Sequence, residues 1–120
     1  MSDDLKLGGG LLLAAMDFDP AHEAEINRWY DEEHFPERLA VPGVLWGRRY
    51  RAIEGAPRYL ALYGLESPAV LDAPEYLRIR PASEWQNRVV TGHTSNLQRS
   101  VYADITPAIP AGYEVRAVRR

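Results

Sequence analysis

The sequence predicts an α+β fold in which four strands and two helical regions follow the order βαββαβ. Two observations carry this prediction. Residues 44–53 and 59–65 alternate apolar and polar side chains and are joined by a turn with Gly and Pro, which is typical of a hairpin. Each flank of the hairpin combines helical spacing of apolar residues with one more strand-like run, at 11–16 before it and 97–105 after it.

The chain has 120 residues, enough for one hydrophobic core but short for two. We therefore expect a single domain over residues 1–120. Polar residues leading into three glycines predict a flexible lead-in at 1–9. The Pro-containing remainder predicts a C-terminal extension at 107–120.

Composition and charge narrow the class of protein. With 46% hydrophobic and 26% charged residues the chain is typical of globular proteins, and a net charge of -3 disfavours nucleic-acid binding. The absence of cysteine excludes disulfides, thiolate nucleophiles and thiolate metal ligands. The apolar run at 11–16 is too short to cross a bilayer and follows no basic leader. We expect a cytoplasmic protein with neither a nucleic-acid nor a membrane partner.

The first helix is predicted to begin at residues 19–20, because Asp caps a helix N-terminus and Pro is tolerated in the first turn. Residues three and four positions apart along this helix lie on one side of it and form an apolar stripe. The stripe ends in two ionisable side chains. The stripe contains Ile26, Trp29, Tyr30, Glu33 and His34. Pro36 is expected to end or kink the helix at residue 35.

Side chains of a strand alternate between two faces, which predicts the neighbours of each residue. On the second strand one face carries Trp46, Arg48 and Tyr50, and the other carries Leu45, Gly47, Arg49, Arg51 and Ile53. In the split βαβ arrangement of ferredoxin-like domains, both helices cover one face of an antiparallel four-stranded sheet. The uncovered face is expected to carry Trp46, Tyr50, Tyr59 and Tyr63. A second copy packed sheet to sheet would cover this aromatic surface, so we expect a homodimer.

Four short segments resemble the dimeric α/β-barrel superfamily, and within it the EthD-like branch. They are 29–34 (WYDEEH), 36–39 (PERL), 42–44 (PGV) and 48–50 (RRY). The resemblance extends over about residues 10–106 and implies a homodimer with a cleft between sheet and helices in each subunit. Relatives include cofactor-free monooxygenases, lactone isomerases, polyketide cyclases, haem-binding enzymes and stress proteins. In several, a histidine near the end of the first helix or on the sheet faces the cleft, and His34 matches that position.

His34 is the leading candidate for a catalytic acid or base, because imidazole exchanges a proton near neutral pH. The alternative is a histidine at a helix end that bonds to backbone carbonyls or to Glu37. Glu33 is a second candidate base if apolar walls favour its protonated form. Its alternative is an ion pair with Arg38 or Arg48.

Arg48 is expected to hold an enolate, phenolate or carboxylate by a bidentate contact, or else to neutralise Glu33. Aromatic side chains are expected to form the walls of an apolar ligand pocket, with some of them packed in the core instead. They are Trp29, Tyr30, Trp46, Tyr50, Tyr59, Tyr63 and Trp85, with the hydroxyl of Tyr102 as a further candidate. His22 is expected to be exposed. His93 is expected to cap the second helix, which is predicted over about residues 81–91.

No metal site is expected, because the sequence shows no compact set of three ligands, and no cofactor fingerprint is present. These features favour a cofactor-independent acid–base enzyme of isomerase, cyclase or lyase type. Its substrate would be a small aromatic or cyclic carbonyl compound of a degradation or secondary-metabolite pathway. Two alternatives remain. One is a haem protein with His34 or His93 as axial ligand and Arg48 against a propionate. The other is a non-enzymatic dimer that binds a small hydrophobic molecule or serves in a stress response.

Overall fold

The computed structural model describes residues 7–108 and confirms the predicted element order. The strands are β1 (Gly10–Phe18), β2 (Val44–Arg51), β3 (Tyr59–Leu65) and β4 (Thr94–Ala103). All neighbouring pairs are antiparallel, and the order β2-β3-β1-β4 puts β1 and β3 at the centre of the sheet. β1 and β4 begin earlier than predicted, and their pairing continues across a bulge between Ala15 and Asp17. Most of the predicted lead-in and C-terminal extension lies outside the described residues.

The helical segments pack against one face of this sheet. They are α1 (Glu23–Trp29), α2 (Phe35–Leu39), α3 (Pro74–Ile79) and α4 (Glu84–Val89), with a π-helical turn at Tyr30–His34 and 3-10 turns at Pro20–His22 and Pro68–Asp72. The Asp19 carboxylate accepts a hydrogen bond from the Ala21 amide at 3.0 Å, which confirms the predicted start of the first helix. Within residues 7–108, no helix has the length and apolar character needed to cross a membrane.

The expected helix end at residue 35 is wrong, because the helical backbone continues through Pro36 to Leu39. The helix widens just before the proline, where the Phe35 amide donates to the carbonyl of Tyr30, five residues earlier. A proline lacks an amide hydrogen, and its ring crowds the carbonyl four residues before it. The wider π turn relieves this conflict, so the helix passes the proline without ending.

Strand register decides which aromatic residues share a face of the sheet, because directly paired residues point to the same side. Gly47 pairs with Tyr63, and Tyr63 is buried in the core beneath the helices. Trp46 lies on the opposite side and pairs with Gly64. The expectation that Tyr59 and Tyr63 share the uncovered face with Trp46 is therefore wrong. Alternation along a strand divides its residues between two faces. Only the pairing register shows which residues of neighbouring strands lie on the same face of the sheet.

The core lies between the sheet and the helices and is rich in aromatic side chains. Its large members include Leu12, Phe18, Ile26, Trp29, Tyr30, Tyr59, Tyr63, Leu65 and Tyr76. Ile26 and Leu65 are completely buried. Burial of this apolar area is the main favourable contribution to folding.

The uncovered side of the sheet, called the open face below, is also apolar. Its residues include Leu11, Leu13, Leu60, Leu62, Trp46, Tyr50 and Tyr102. Tyr50 is 52% exposed and Tyr102 is 49% exposed, although both are large aromatic side chains. The open face is thus apolar as predicted, but leucines of β1 and β3 lie at its centre instead of Tyr59 and Tyr63.

Gly64 is expected to be required for the position of Trp46 on the open face. A Cβ atom at residue 64 would overlap the indole nitrogen of Trp46, so Gly64→Ala forces the indole to move. We expect the free energy of unfolding to fall by about 1–3 kcal/mol, measured by chemical denaturation. In a Trp46→Ala background the same substitution should lose most of this effect. An equal loss in both backgrounds would contradict the steric explanation.

Candidate functional site

The π turn between α1 and α2 places His34 on the sheet side of the first helix. Turns of this kind insert one extra residue into a helix and are frequent at functional sites. The ring centroid of His34 lies 4.5 Å from that of Trp29 and 4.8 Å from that of Tyr30. The imidazole is therefore half-buried and packs against two aromatic rings.

The electrostatic surroundings of His34 strongly disfavour its charged form. Burial lowers the pKa of His34 to about 3, and the positive charges of Arg38 and Arg49 act in the same direction. At neutral pH the ring is uncharged and carries one nitrogen with a free lone pair. This nitrogen can accept a proton or bind a metal ion.

Arg49 extends from β2 beneath the first helix. Its guanidinium lies 4.3 Å from the ring centroid of Tyr30. Nη1 donates to Asp31 Oδ1 at 2.6 Å and Nη2 donates to Asn27 Oδ1 at 2.8 Å. These contacts hold a planar cation against the same aromatic residue that contacts His34.

Arg38 supplies a second cation on this side of the sheet. It is 8% exposed, and its guanidinium lies 5.9 Å from the ring centroid of Tyr76. Its nearest carboxylate is the half-exposed Glu37, whose Oε1 is 3.6 Å from Nη1. A buried guanidinium with one loose ion pair retains capacity to hold an anion.

Two phenols complete the group. Burial raises the pKa of both Tyr30 and Tyr63, so both hydroxyls stay protonated. The Tyr63 hydroxyl is buried and has no well-oriented hydrogen-bond partner among the described residues, although the Tyr30 phenol lies beside it. An unsatisfied buried hydroxyl is costly and is a candidate contact for a polar group of a ligand.

Glu33 points away from both arginines that the sequence suggested as partners. Its Oε2 accepts a hydrogen bond from the Trp29 indole at 2.7 Å and another from the Ser83 hydroxyl. The expected ion pair with Arg38 or Arg48 is therefore absent from the described residues. Glu33 instead joins the first helix to the N-terminus of α4.

The sequence-predicted site residues divide between the two faces of the sheet. Arg48 is exposed on the open face, where it pairs with Leu62, and so lies on the side of the sheet opposite His34. The covered side brings together Trp29, Tyr30, Glu33, His34, Tyr59 and Tyr63, while Trp46 and Tyr50 lie on the open face with Arg48. Trp85 is partly buried, with its indole 5.8 Å from the Arg28 guanidinium. The expected ring of aromatic residues around one pocket is therefore not formed within the described part of the chain.

Two covered arginines close to His34, Arg38 and Arg49, were missing from the predicted site, as was Tyr76 beside Arg38. A signal for Arg49 was present, because its position alternates with that of Arg48 and faces the helices. A histidine on the sheet side of a helix meets the covered face, so the odd-numbered residues of β2 were the ones to consider.

A wide groove lies on the open face rather than beside His34. It has a volume of about 440 Å³, and its lining includes Leu11, Trp46, Leu62, Tyr102 and Asp104. The gap between sheet and helix beside Tyr30 and Arg49 has no room for a water molecule. The ionisable groups suited to proton transfer lie at the covered site beside His34. This favours the covered site over the open-face groove as the place of any proton-transfer chemistry.

A different cluster brings the other two histidines together. Ligand atoms of Asp19, His22 and His93 all lie within 4.8 Å of one another. His22 is half-buried rather than exposed, and its ring centroid is 3.7 Å from that of His93. The sequence pattern did not indicate this set, because 71 positions separate His22 from His93, as the residue numbers show.

Comparisons with known proteins identify the fold. No family model and no curated protein matches the chain. Among solved structures, the haem-degrader MhuD of Mycobacterium tuberculosis aligns at 12% identity, covering 82% of this chain and 98% of that one, with a TM-score of 0.56. An ethyl tert-butyl ether D (EthD) family protein of Bacillus halodurans aligns at 12% identity, covering 80% and 99%, with a TM-score of 0.55. An antibiotic biosynthesis monooxygenase-type protein of Nitrosomonas europaea aligns at 10% identity, covering 81% and 99%, with a TM-score of 0.56.

These matches and the βαββαβ sheet define the class of protein. The chain shares the ferredoxin-like α/β fold of these structures, one of which is an EthD family protein. The fold that the sequence resemblance implied is thereby confirmed. At these identities the likeness establishes architecture and leaves the chemistry to the residues of the site.

Proposed function

We propose that this protein is a homodimer that binds a small aromatic or cyclic carbonyl compound between sheet and helices and catalyses proton transfer on it without a cofactor. The reaction class would be that of an isomerase, cyclase or lyase in a degradation or secondary-metabolite pathway. The observation that carries the proposal is a half-buried His34 packed against two aromatic rings, with two arginine side chains close enough to lower its pKa.

In this proposal His34 is the base. Its free lone pair removes a proton next to a carbonyl group or from a phenolic hydroxyl, and negative charge develops on the substrate oxygen. Arg49 and Arg38 stabilise that oxyanion, taking the role that the sequence suggested for Arg48. The hydroxyl of Tyr63 offers one further hydrogen bond to the same oxygen.

The low proton affinity of His34 couples base strength to ligand binding. Two nearby cations lower the pKa, so a ligand anion that neutralises them raises it again toward the ordinary range of imidazole. An acidic or enolisable ligand acquires this negative charge as its proton leaves, so the two arginines favour the transfer to His34 by stabilising the anion that forms. Entry of that ligand requires local opening between the π turn and β2, because the gap there is closed.

Haem binding is the second candidate, favoured by the neutral imidazole of His34 and by the fold shared with a haem-degrader. The donor set suits haem, since neutral imidazole ligates iron and arginine pairs with propionates. The space does not suit it, because a porphyrin is far larger than the closed gap beside Arg49. A Soret band in the purified protein would favour this second candidate.

A ligand screen on matched variants tests the covered site. Thermal shifts with phenols, quinones, lactones and haem are compared for wild type, His34→Gln, Arg49→Met and Arg48→Met, since a ligand of the folded state raises stability. We expect an aromatic or lactone hit whose affinity falls about 30-fold or more in Arg49→Met, corresponding to roughly 2 kcal/mol. For the same substrate, His34→Gln should abolish turnover.

Arg48→Met is the control for this screen, because it removes an arginine from the same strand but from the opposite face of the sheet. It should bind the ligand like wild type. Loss of binding in Arg48→Met with retention in Arg49→Met would place the ligand on the open face and refute the proposed site.

A further inference from the structure

We propose that Asp19, His22 and His93 form a binding site for one divalent transition-metal ion of the zinc, nickel or copper class. The site lies where β1 passes into the first helix and where α4 passes into β4. It contains neither His34 nor either arginine beside it, so it is independent of the proposed reaction.

The three side chains already lie close together in the folded chain. Their ligand atoms lie within 4.8 Å of one another, and Nδ1 of His93 is 3.8 Å from Oδ2 of Asp19. A separation of 3.8 Å is too long for a hydrogen bond. Metal–ligand distances of about 2.0–2.2 Å place two ligands of one ion roughly 3–4 Å apart, so movements of about 1 Å bring the set to binding geometry.

Backbone hydrogen bonds hold the three residues in this arrangement. The Asp19 amide donates to the His93 carbonyl at 2.8 Å, and the His22 amide donates to the Asp19 carbonyl at 2.9 Å. The His93 amide donates in turn to the Val90 carbonyl at 2.9 Å. The backbone therefore brings together ligands that are far apart in sequence, which lowers the entropic cost of binding an ion.

The Asp19 carboxylate is oriented for a second role. Its Oδ1 accepts the Ala21 amide hydrogen as a helix cap, while Oδ2 faces His93. Hydrogen-bonded support of this kind is what orients metal-binding carboxylates and imidazoles. One oxygen can thus cap the helix while the other binds the ion.

The chemistry of the donor set narrows the choice of ion. Two imidazoles and one carboxylate suit zinc, nickel and copper(II), while magnesium and calcium prefer oxygen ligands alone. The Asp19 and His93 side chains are 44% and 34% exposed, so solvent can reach the ion and fill its remaining positions. Such an ion would tie the start of the first helix to the start of β4.

Isothermal titration of the untagged full-length chain with zinc chloride, and separately with copper(II), tests the site. We expect one ion per chain and a rise in melting temperature on zinc addition. The electron paramagnetic resonance spectrum of the copper complex should show hyperfine coupling to two imidazole nitrogens. This readout needs no variant and so does not depend on the folding of any substitution.

Matched variants identify the ligands. The chain has three histidines, so His22→Gln and His93→Gln can be compared with His34→Gln, which leaves the cluster intact. Asp19→Asn keeps a good helix cap but removes the charged ligand. Each of the three cluster variants should lose more than about tenfold in affinity, since even outer partners of a ligand contribute about 10- to 100-fold. The control should bind like wild type.

Three results overturn the proposal. They are the absence of stoichiometric binding by wild type, unchanged affinity in any one of the cluster variants, and a copper spectrum without two nitrogen ligands. Because the assay reads metal binding alone, failure of the proposed reaction would leave it intact, and the reverse also holds.

Discussion

Acidification below about pH 6.5 is expected to destabilise wild type more steeply than a His34→Gln variant, by up to about 1.4 kcal/mol for each pH unit. The pKa of His34 is about 3 in the folded chain and close to the usual histidine value when unfolded. Between these two values the unfolded chain binds a proton that the folded chain does not. Stability is therefore unaffected by this residue above about pH 6.5 and falls as the pH drops toward 3.

Urea denaturation of both proteins at intervals between pH 7 and pH 4 measures this effect. Hydrogen bonds also lower the pKa values of Asp17, Glu23 and Asp104, and their contribution likewise disappears on acidification. These carboxyl groups are present in both proteins, so the difference between the two curves isolates His34. Parallel curves would contradict the uncharged state of His34 in the folded chain and weaken the case for its role as a base.

Two charges placed on the open face are expected to convert the proposed dimer into monomers. Leu13 and Leu62 are direct cross-strand partners on the two central strands, at the middle of the apolar surface. In a twofold interface each substituted residue also meets the partner's copy of the patch, so Leu13→Glu with Leu62→Glu buries four unpaired carboxylates. With several kcal/mol lost, the dissociation constant should rise by more than about a thousandfold.

Sedimentation velocity over a range of protein concentrations checks this expectation, with circular dichroism to verify folding. Leu77→Glu is the matched control, because Leu77 lies on α3 and is already 46% exposed. We expect it to remain dimeric. A wild-type chain that sediments as a monomer at high concentration, or a folded double variant that stays dimeric, would contradict an interface on this face.

Local sequence signals were reliable wherever the decisive contacts are short in range. Asp19 followed by proline predicted the start of the first helix, and alternating side chains predicted β3 with its observed ends. Helical spacing placed His34 on the same side of the first helix as Trp29 and Tyr30, because residues three and four positions apart on a helix share a side. Pro36 shows the limit of such rules, since the π turn that accommodates it leaves no mark in the pattern.

The sequence by itself determined the order of elements, the two faces of each strand and the presence of a histidine beside aromatic side chains. The tertiary structure decided which of these faces meet. Register placed Tyr63 in the core and Arg48 on the opposite side, and it brought Arg49 rather than Arg48 to His34. The tertiary structure also brought the ring of His22 into contact with that of His93, although the two residues lie far apart in sequence. The physical reason is that helical and strand periodicity are local, whereas strand register and helix packing depend on contacts between residues far apart in sequence.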